Sequence, residues 1–258
     1  MNKPLILLTN DDGFYAEGIE TLERHLQEQG EIFIVAPDRE RSASSLALTL
    51  HHPLRVKPIR DRVWASDGTP TDCVYLAVRK LLPRTPDLLI SGINRGPNLG
   101  QQDISYSGTV GAAVQGTFLQ IPSIAVSHHP NEKQQFDFDF CGHYVSRVVD
   151  ELVQNSLPPG TTLNINIPTP PIKGVRLAKL GQKRYHPEIL IKKDPRNRDY
   201  YWIGTGTPQA IGDADTDVQL IKQGYITVTP LHRDLTDYAS LEVPELKAVF
   251  EKAIHETS

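Results

Sequence analysis

Four consecutive aliphatic residues, Leu5-Ile6-Leu7-Leu8, run directly into Thr9-Asn10-Asp11-Asp12-Gly13. An apolar run without alternation predicts a strand buried on both faces, as in a parallel sheet covered by helices. The period then changes. Ile19, Leu22 and Leu26 recur at helical spacing, and Gly30 stops that helix. Residues 31–36 form a second apolar run closed by Pro37, and residues 46–57 and 62–65 read as extended segments. Thr69-Pro70-Thr71-Asp72 carries an N-cap, a proline at the first helical position and a carboxylate placed like a capping box. The apolar helix it opens runs through Val74, Leu76, Val78, Leu81 and Leu82 and ends before Pro83. Strands at 87–92 and 123–127 bracket a Gly- and Ala-rich helix that opens at Ser107-Gly108-Thr109. Strand and helix alternation of this kind implies right-handed βαβ units and a parallel sheet with helices on both faces.

The second half changes character. A helix around 139–154 precedes a strand at 163–168, and from about 175 to 230 the pattern becomes strand and turn. Residues 188–193 and 200–204 flank 194–199 as a hairpin, 224–230 alternates with period two, and 241–254 is a final amphipathic helix. A hairpin carrying Tyr200, Tyr201 and Trp202 is hard to bury within its own domain, which predicts an arm that packs on a partner subunit.

In a parallel sheet, ligands bind beyond the carboxyl ends of the strands. Four segments follow predicted strands in this way: 10–13, 36–45, 91–98 and 105–109. Each alone has a simpler reading. Adjacent aspartates make a turn or helix cap, and Ser42 lies in a Ser-rich loop. Asn94 and Asn98 beside Gly92, Gly96 and Pro97 make turn chemistry, and Ser107-Gly108-Thr109 makes an N-cap. Their convergence on one rim carries the functional reading. Asp11 and Asp12 repel each other, and a cation relieves both the repulsion and the desolvation. Carboxylate, hydroxyl and amide oxygens suit Mg²⁺, Mn²⁺ or Ca²⁺ rather than zinc. Ser107-Gly108-Thr109 at a helix start supplies free backbone N–H groups, a phosphate seat. Together these parts describe metal-assisted hydrolysis of a phosphate ester.

Composition narrows the alternatives. With 258 residues, 39% hydrophobic and 22% charged, the chain is long enough for one large domain or two small ones. A net charge of −4 gives no basis for holding a nucleic-acid duplex on a basic surface. Cys73 and Cys141 are the only cysteines, no signal peptide opens the chain and no stretch is apolar enough to span a bilayer, so a cytoplasmic location is expected. Asp213-Ala214-Asp215-Thr216-Asp217 hints at a calcium loop but has Val218 where glycine is needed and Gly224 where the bidentate glutamate belongs, so it reads as an acidic turn. His51-His52 and His128-His129 lack metal spacing and read as loop or strand-end residues. No nucleotide-binding P-loop and no G-x-S-x-G elbow is present.

The stretches TNDDG (9–13), APDRERS (36–42), GTPTDC (68–73), SGINRGPNLG (91–100), YSGTVGAA (106–113), IPSIAVS (121–127) and GYITVTPL (224–231) resemble the SurE (survival protein E) family of metal-dependent nucleotidases, in order and over nearly the whole chain. The resemblance implies an α/β fold: a Rossmann-like three-layer sandwich with a mostly parallel sheet, plus a C-terminal β-hairpin arm and terminal helix used in oligomerisation. It implies one SurE-like domain over 1–258, with a core and active-site rim at 1–135, further core elements from 136, the arm at about 183–230 and a C-terminal helix. Arm exchange would give a homodimer or homotetramer. One divalent ion per subunit, Mg²⁺ or Mn²⁺, would be held by Asp11, Asp12, Ser42 and Asn94, and Asn10, Asn98, Ser107, Gly108 and Thr109 would line the phosphate site. The implied activity is removal of phosphate from nucleoside 5′- and 3′-monophosphates, with some members trimming short polyphosphate.

One loop departs from the family pattern. Four positions after Ser42 the family usually carries Asn or His, then often Ser; this chain has Leu46 and Ala47, with Ser44 and Ser45 as possible compensation. A narrower or shifted substrate range is the expectation. Mechanistically, a metal-bound water attacks in line and Asp11 or Asp12 takes its proton, with Asp11 as a covalent nucleophile the competing route. A non-catalytic nucleotide-binding or regulatory module is the alternative function.

Overall fold

A computed structural model of the chain describes residues 3–155, 157–185, 188–204, 206 and 208–255. The strands are β1 (Leu5–Thr9), β2 (Glu31–Pro37), β3 (Val56–Arg60), β4 (Val63–Ser66), β5 (Leu88–Arg95), β6 (Ser123–His129), β7 (Thr161–Pro168), β8 (Gly174–Leu177), β9 (Gln182–Arg184), β10 (Ile189–Lys193), β11 (Asp199–Ile203), β12 (Gln209–Ile211) and β13 (Tyr225–His232). The helices are α1 (Glu17–Leu26), α2 (Pro70–Leu76, continued by a π-type turn Ala77–Leu81), α3 (Gly100–Tyr106), α4 (Gly108–Phe118), α5 (Phe138–Gln154), α6 (Asp217–Leu220), α7 (Tyr238–Leu241) and α8 (Pro244–His255).

Nine strands form one sheet in the order β3-β4-β2-β1-β5-β6-β7-β13-β8. From β4 to β7 all neighbours are parallel; β3 and β13 pair antiparallel with β4 and β7. The chain steps outward from β1 to β2 and β4, then returns to the other side of β1 as β5. That reversal opens a crevice between the carboxyl ends of β1 and β5, where the rule for open α/β sheets places a ligand.

Two core clusters show why β1 is apolar throughout. Ile6 and Leu8 pack with Leu22 and Leu26 of α1 and Cys141 and Val145 of α5. Leu7 faces the other way, against Cys73 and Val74 of α2 and Val110 and Ala113 of α4. The result is the expected three layers, with each buried Leu or Ile contributing about 1.5–3 kcal/mol. Among the described residues no helix is long and apolar enough to cross a membrane.

The structure differs from the sequence reading in places. Of the extended segment expected at 46–57, residues 46–55 are irregular and only β3 from Val56 is strand. Leu46, Leu48 and Leu50 of that stretch are exposed, so no core fixes a strand there. The last helix begins at Pro244 rather than 241, with α7 a separate turn before it. The hairpin is present as β10 and β11, pairing Leu190 with Trp202 and Ile191 with Tyr201, and its apolar side chains are exposed.

Candidate active site

The loop after β1 is closed by its own amide. Asn10 donates from Nδ2 to the Gly13 carbonyl at 2.8 Å and accepts the Gly13 N–H on Oδ1 at 3.1 Å. Gly13 has a φ of 107°, a region that favours glycine. This turns Asp11 toward α4 and Asp12 toward the end of β5. Asp11 is buried; its Oδ1 accepts the Thr109 hydroxyl at the start of α4, and its carbonyl accepts the Arg41 N–H at 2.7 Å. Asp12 accepts the Arg95 N–H at the end of β5 on Oδ2 at 3.2 Å.

Burial pushes the Asp11 carboxyl above its ordinary range, against the Thr109 hydrogen bond. Burial first, and the charge of Asp11 second, push Asp12 up to about 6. Among the described residues neither carboxylate belongs to an ion pair. Two adjacent, desolvated carboxylates, eased only by the more distant charge of Arg95, are a poor arrangement for a protein alone and a good one for a bound divalent cation.

The remaining oxygens come from two other segments. The register of β5 against β6 slips between Ser91 and Asn94, a bulge that re-aims the strand end. The Asn94 amide donates to the Gly96 carbonyl at 2.7 Å, which leaves Oδ1 as an acceptor or hard ligand. Ser42 is exposed and donates to Glu40 Oε1 at 2.7 Å, keeping its lone pairs. The donor set of two carboxylates, one hydroxyl and one amide oxygen fits Mg²⁺ or Mn²⁺.

Opposite stands the start of α4. Ser107 caps it, accepting the Val110 N–H at 3.0 Å. Gly108 is there because of space: a Cβ on it would sit 2.6 Å from Ser44 Oγ and 2.9 Å from Asp11 Oδ2. Gly111, one turn on, lets the Ser45 carbonyl approach to 2.2 Å from where its Cβ would be. The glycines therefore seat the 42–47 loop and the Asp11 loop against the positive end of the helix.

Several supporting residues carried no signal in the functional reading. Asn98 is fixed by a buried polar network: its N–H donates to Asn166 Oδ1 at 2.9 Å, its Nδ2 to Ser127 Oγ at 2.8 Å, and its carbonyl accepts from the amides of Asn164 and Asn166. The alternation of Asn164 and Asn166 with Leu163, Ile165 and Ile167 was the available sign, because same-face asparagines in a buried strand need partners. Asp217 is fully buried and accepts the N–H groups of Gly100, Gly181 and Val218 at 2.7–2.8 Å. Asp217 thus departs from the solvated acidic turn expected at 213–217. Helix α3, which leads into Ser107, was not expected either; its Asp103 is held by Lys183 and by the Tyr185 hydroxyl.

Other sequence features resolve as structure. Thr69 and Asp72 form the expected capping box, and Asp72 also accepts from the Thr49 N–H and hydroxyl. His128 is buried on β6, bonded to the Ile167 carbonyl through Nδ1 and accepting the Asp137 N–H on Nε2. A surface group of His25, Asp139 and His143 lies on α1 and α5, outside the four rim segments, with Asp139 paired to Arg24.

A family profile described as "Survival protein SurE" matches residues 6–187. The chain is 50% identical over 244 residues to the 5'-nucleotidase SurE of Pelotomaculum thermopropionicum, covering 92% of each chain. It is 46% identical over 239 residues to the 5'-nucleotidase SurE of Geobacter metallireducens, covering 92% of this chain and 94% of that one. The crystal structure of the SurE protein from Aquifex aeolicus superimposes with a TM-score of 0.81 at 38% identity, over 95% of this chain and 100% of that one. With this agreement in sequence and fold, the chain belongs to the SurE family.

Proposed function

We propose that the crevice between β1 and β5 is the active site of a divalent-metal-dependent phosphoric monoester hydrolase acting on nucleoside monophosphates. Relatives named 5'-nucleotidase align with the chain over nine-tenths of its length, which supports the substrate class. The observation that carries the site is the pair Asp11 and Asp12, adjacent, desolvated and without an ion pair among the described residues, with Asp11 set against the start of α4. A complete hard-ligand set beside a helix start suits metal-assisted hydrolysis, and a non-catalytic binding module has little need of it.

One ion per subunit, Mg²⁺ or Mn²⁺, would be held by Asp11, Asp12, Ser42 and Asn94. When bound, it polarises phosphoryl oxygens and lowers the pKa of water. The chain's own groups do the rest. Thr109 fixes one oxygen of Asp11, and the Arg95 N–H fixes one oxygen of Asp12. The leading N–H groups of α4 have no carbonyl partner within the helix; that of Thr109 turns toward the Asp11 carboxylate, and that of Gly108 would receive a phosphoryl oxygen. Asn98 is anchored on Ser127 through one amide N–H, which leaves the second for the same group. Asn10 acts by holding the loop. Among the described residues Oδ1 of Asp12 accepts no hydrogen bond, and Asp12 is the more exposed of the pair, so we assign it the proton of the attacking water.

In this reading residues 1–258 form one SurE-like unit in which the hairpin of β10 and β11 and helix α8, both with exposed apolar side chains, exchange between copies in a dimer or tetramer. Cys73 and Cys141 are buried free thiols, in keeping with a cytoplasmic protein. Short polyphosphate is a further substrate.

Phosphate release from a panel of 5′- and 3′-nucleotides, with Mn²⁺ and with chelator, tests the assignment. Metal-dependent release abolished by chelation is expected; release that ignores chelation, or none from any nucleotide, overturns it. A preference narrowed to few nucleotides is the expected consequence of Leu46 and Ala47, and an even profile across bases and positions refutes that part.

A further inference from the structure

The loop that follows Ser42 places one hydroxyl at the crevice that the fold does not use. Ser44 Oγ is buried and has no hydrogen-bond partner among the described residues. It lies 2.6 Å from the position a Cβ on Gly108 would take, and Asp11 Oδ2 lies 2.9 Å from the same point. A buried hydroxyl without a partner costs about 1–3 kcal/mol, so its position against the first residue of α4 needs a reason.

The neighbours do not supply one. The Ser45 hydroxyl donates to the Ser105 carbonyl at 2.7 Å, and the Ser45 N–H to the Tyr106 carbonyl at 2.9 Å. Ser42 is turned to Glu40. Leu46 and Ala47 have no polar side-chain atom, and both are exposed. Within this loop Ser44 is the side chain with an unused donor beside the helix start that receives phosphate.

We infer that Ser44 is a substrate-contacting residue whose hydroxyl donates to a non-bridging oxygen of the phosphoryl group seated at the start of α4. This rests on the phosphomonoesterase reading above and names a specificity element within it. The bond forms in the bound state and persists through the reaction. It therefore contributes to binding of substrate and product alike rather than to kcat.

The test is Ser44→Ala in the Mn²⁺-loaded full chain. The KM for a nucleoside monophosphate should rise about tenfold and the binding constant for inorganic phosphate, measured by calorimetry, should weaken by a similar factor. The kcat should stay within about twofold. The melting temperature should hold or rise, because a hydroxyl orphaned in the ligand-free protein is removed. Unchanged KM and phosphate affinity overturn the inference, as does a fall in kcat and melting temperature with KM intact, which would mark a structural role. A wild-type chain that binds phosphate but does not turn over nucleotides would refute the enzyme reading and leave the calorimetric comparison to decide on Ser44.

Discussion

The hydroxyl of Thr109 donates to Oδ1 of Asp11, joining the end of β1 to the start of α4 across 98 positions of sequence. One bond thus sets the distance between the carboxylate pair and the phosphate seat. Thr109→Val keeps the shape and removes the donor. A hydrogen bond to a charged group is worth about 1.5–3 kcal/mol, so kcat/KM should fall roughly 10- to 100-fold. Thr109→Ser should restore most of it. Steady-state kinetics on both variants check this, and a valine variant with full activity would show that the bond is incidental.

Gly108→Ala tests the close approach of the two loops. In a helix interior Ala is better than Gly by about 1 kcal/mol. Here the new Cβ meets Ser44 Oγ at 2.6 Å and Asp11 Oδ2 at 2.9 Å. Overpacking of this kind costs about 1–3 kcal/mol, and it displaces the groups that bind phosphate. Activity should drop more than tenfold while urea denaturation still shows one cooperative transition; wild-type activity would contradict the geometry.

Asp217→Asn leaves the three N–H groups of Gly100, Gly181 and Val218 competing for one oxygen. One orphaned N–H costs about 1–3 kcal/mol. Chemical denaturation should register that loss. Because Gly100 opens α3, which runs into Ser107, phosphate affinity should weaken too. A variant as stable as wild type would mean the carboxylate is dispensable.

His128 makes stability depend on pH. Burial holds its pKa below the ordinary value of 6.5, and the Asp137 N–H occupies Nε2. Below 6.5 the unfolded chain therefore binds a proton that the folded chain resists, so the folded state is favoured above that pH and loses stability as pH falls. Denaturation midpoints at pH 5 and pH 8 should differ in wild type. In His128→Gln the difference should shrink, with lower stability at pH 8 because a histidine contact is lost. An unchanged pH dependence in that variant would assign the effect to other groups.

What the sequence made legible follows from the range of the forces involved. The strand at Leu5 to Leu8 and the capping box at Thr69 are set by local apolar runs and local hydrogen bonds, and both stand as read. The segments after β1 and β2 stand as strand-end loops, whereas Asn94 lies within β5 and 105–109 joins α3 to α4 instead of following a strand. Partners distant in sequence were not legible. Nothing near Asn98 points to Asn164 and Asn166, and nothing near Gly100 points to Asp217, since the sheet alone brings them together. Helix α3 was missed because Gln101, Gln102, Asp103 and Ser105 give it no apolar period; tertiary bonds through Asp103 hold it.

Phosphate release depends, in this reading, on a divalent ion held by Asp11 and Asp12. Calorimetric titration of Mn²⁺ into wild type and Asp12→Asn, paired with phosphate release from the same samples, tests it most directly. Asp12→Asn keeps the shape and removes one charge, so the variant should fold, bind Mn²⁺ at least about tenfold more weakly and lose metal-dependent turnover. Wild-type Mn²⁺ affinity together with full phosphate release in Asp12→Asn would contradict it.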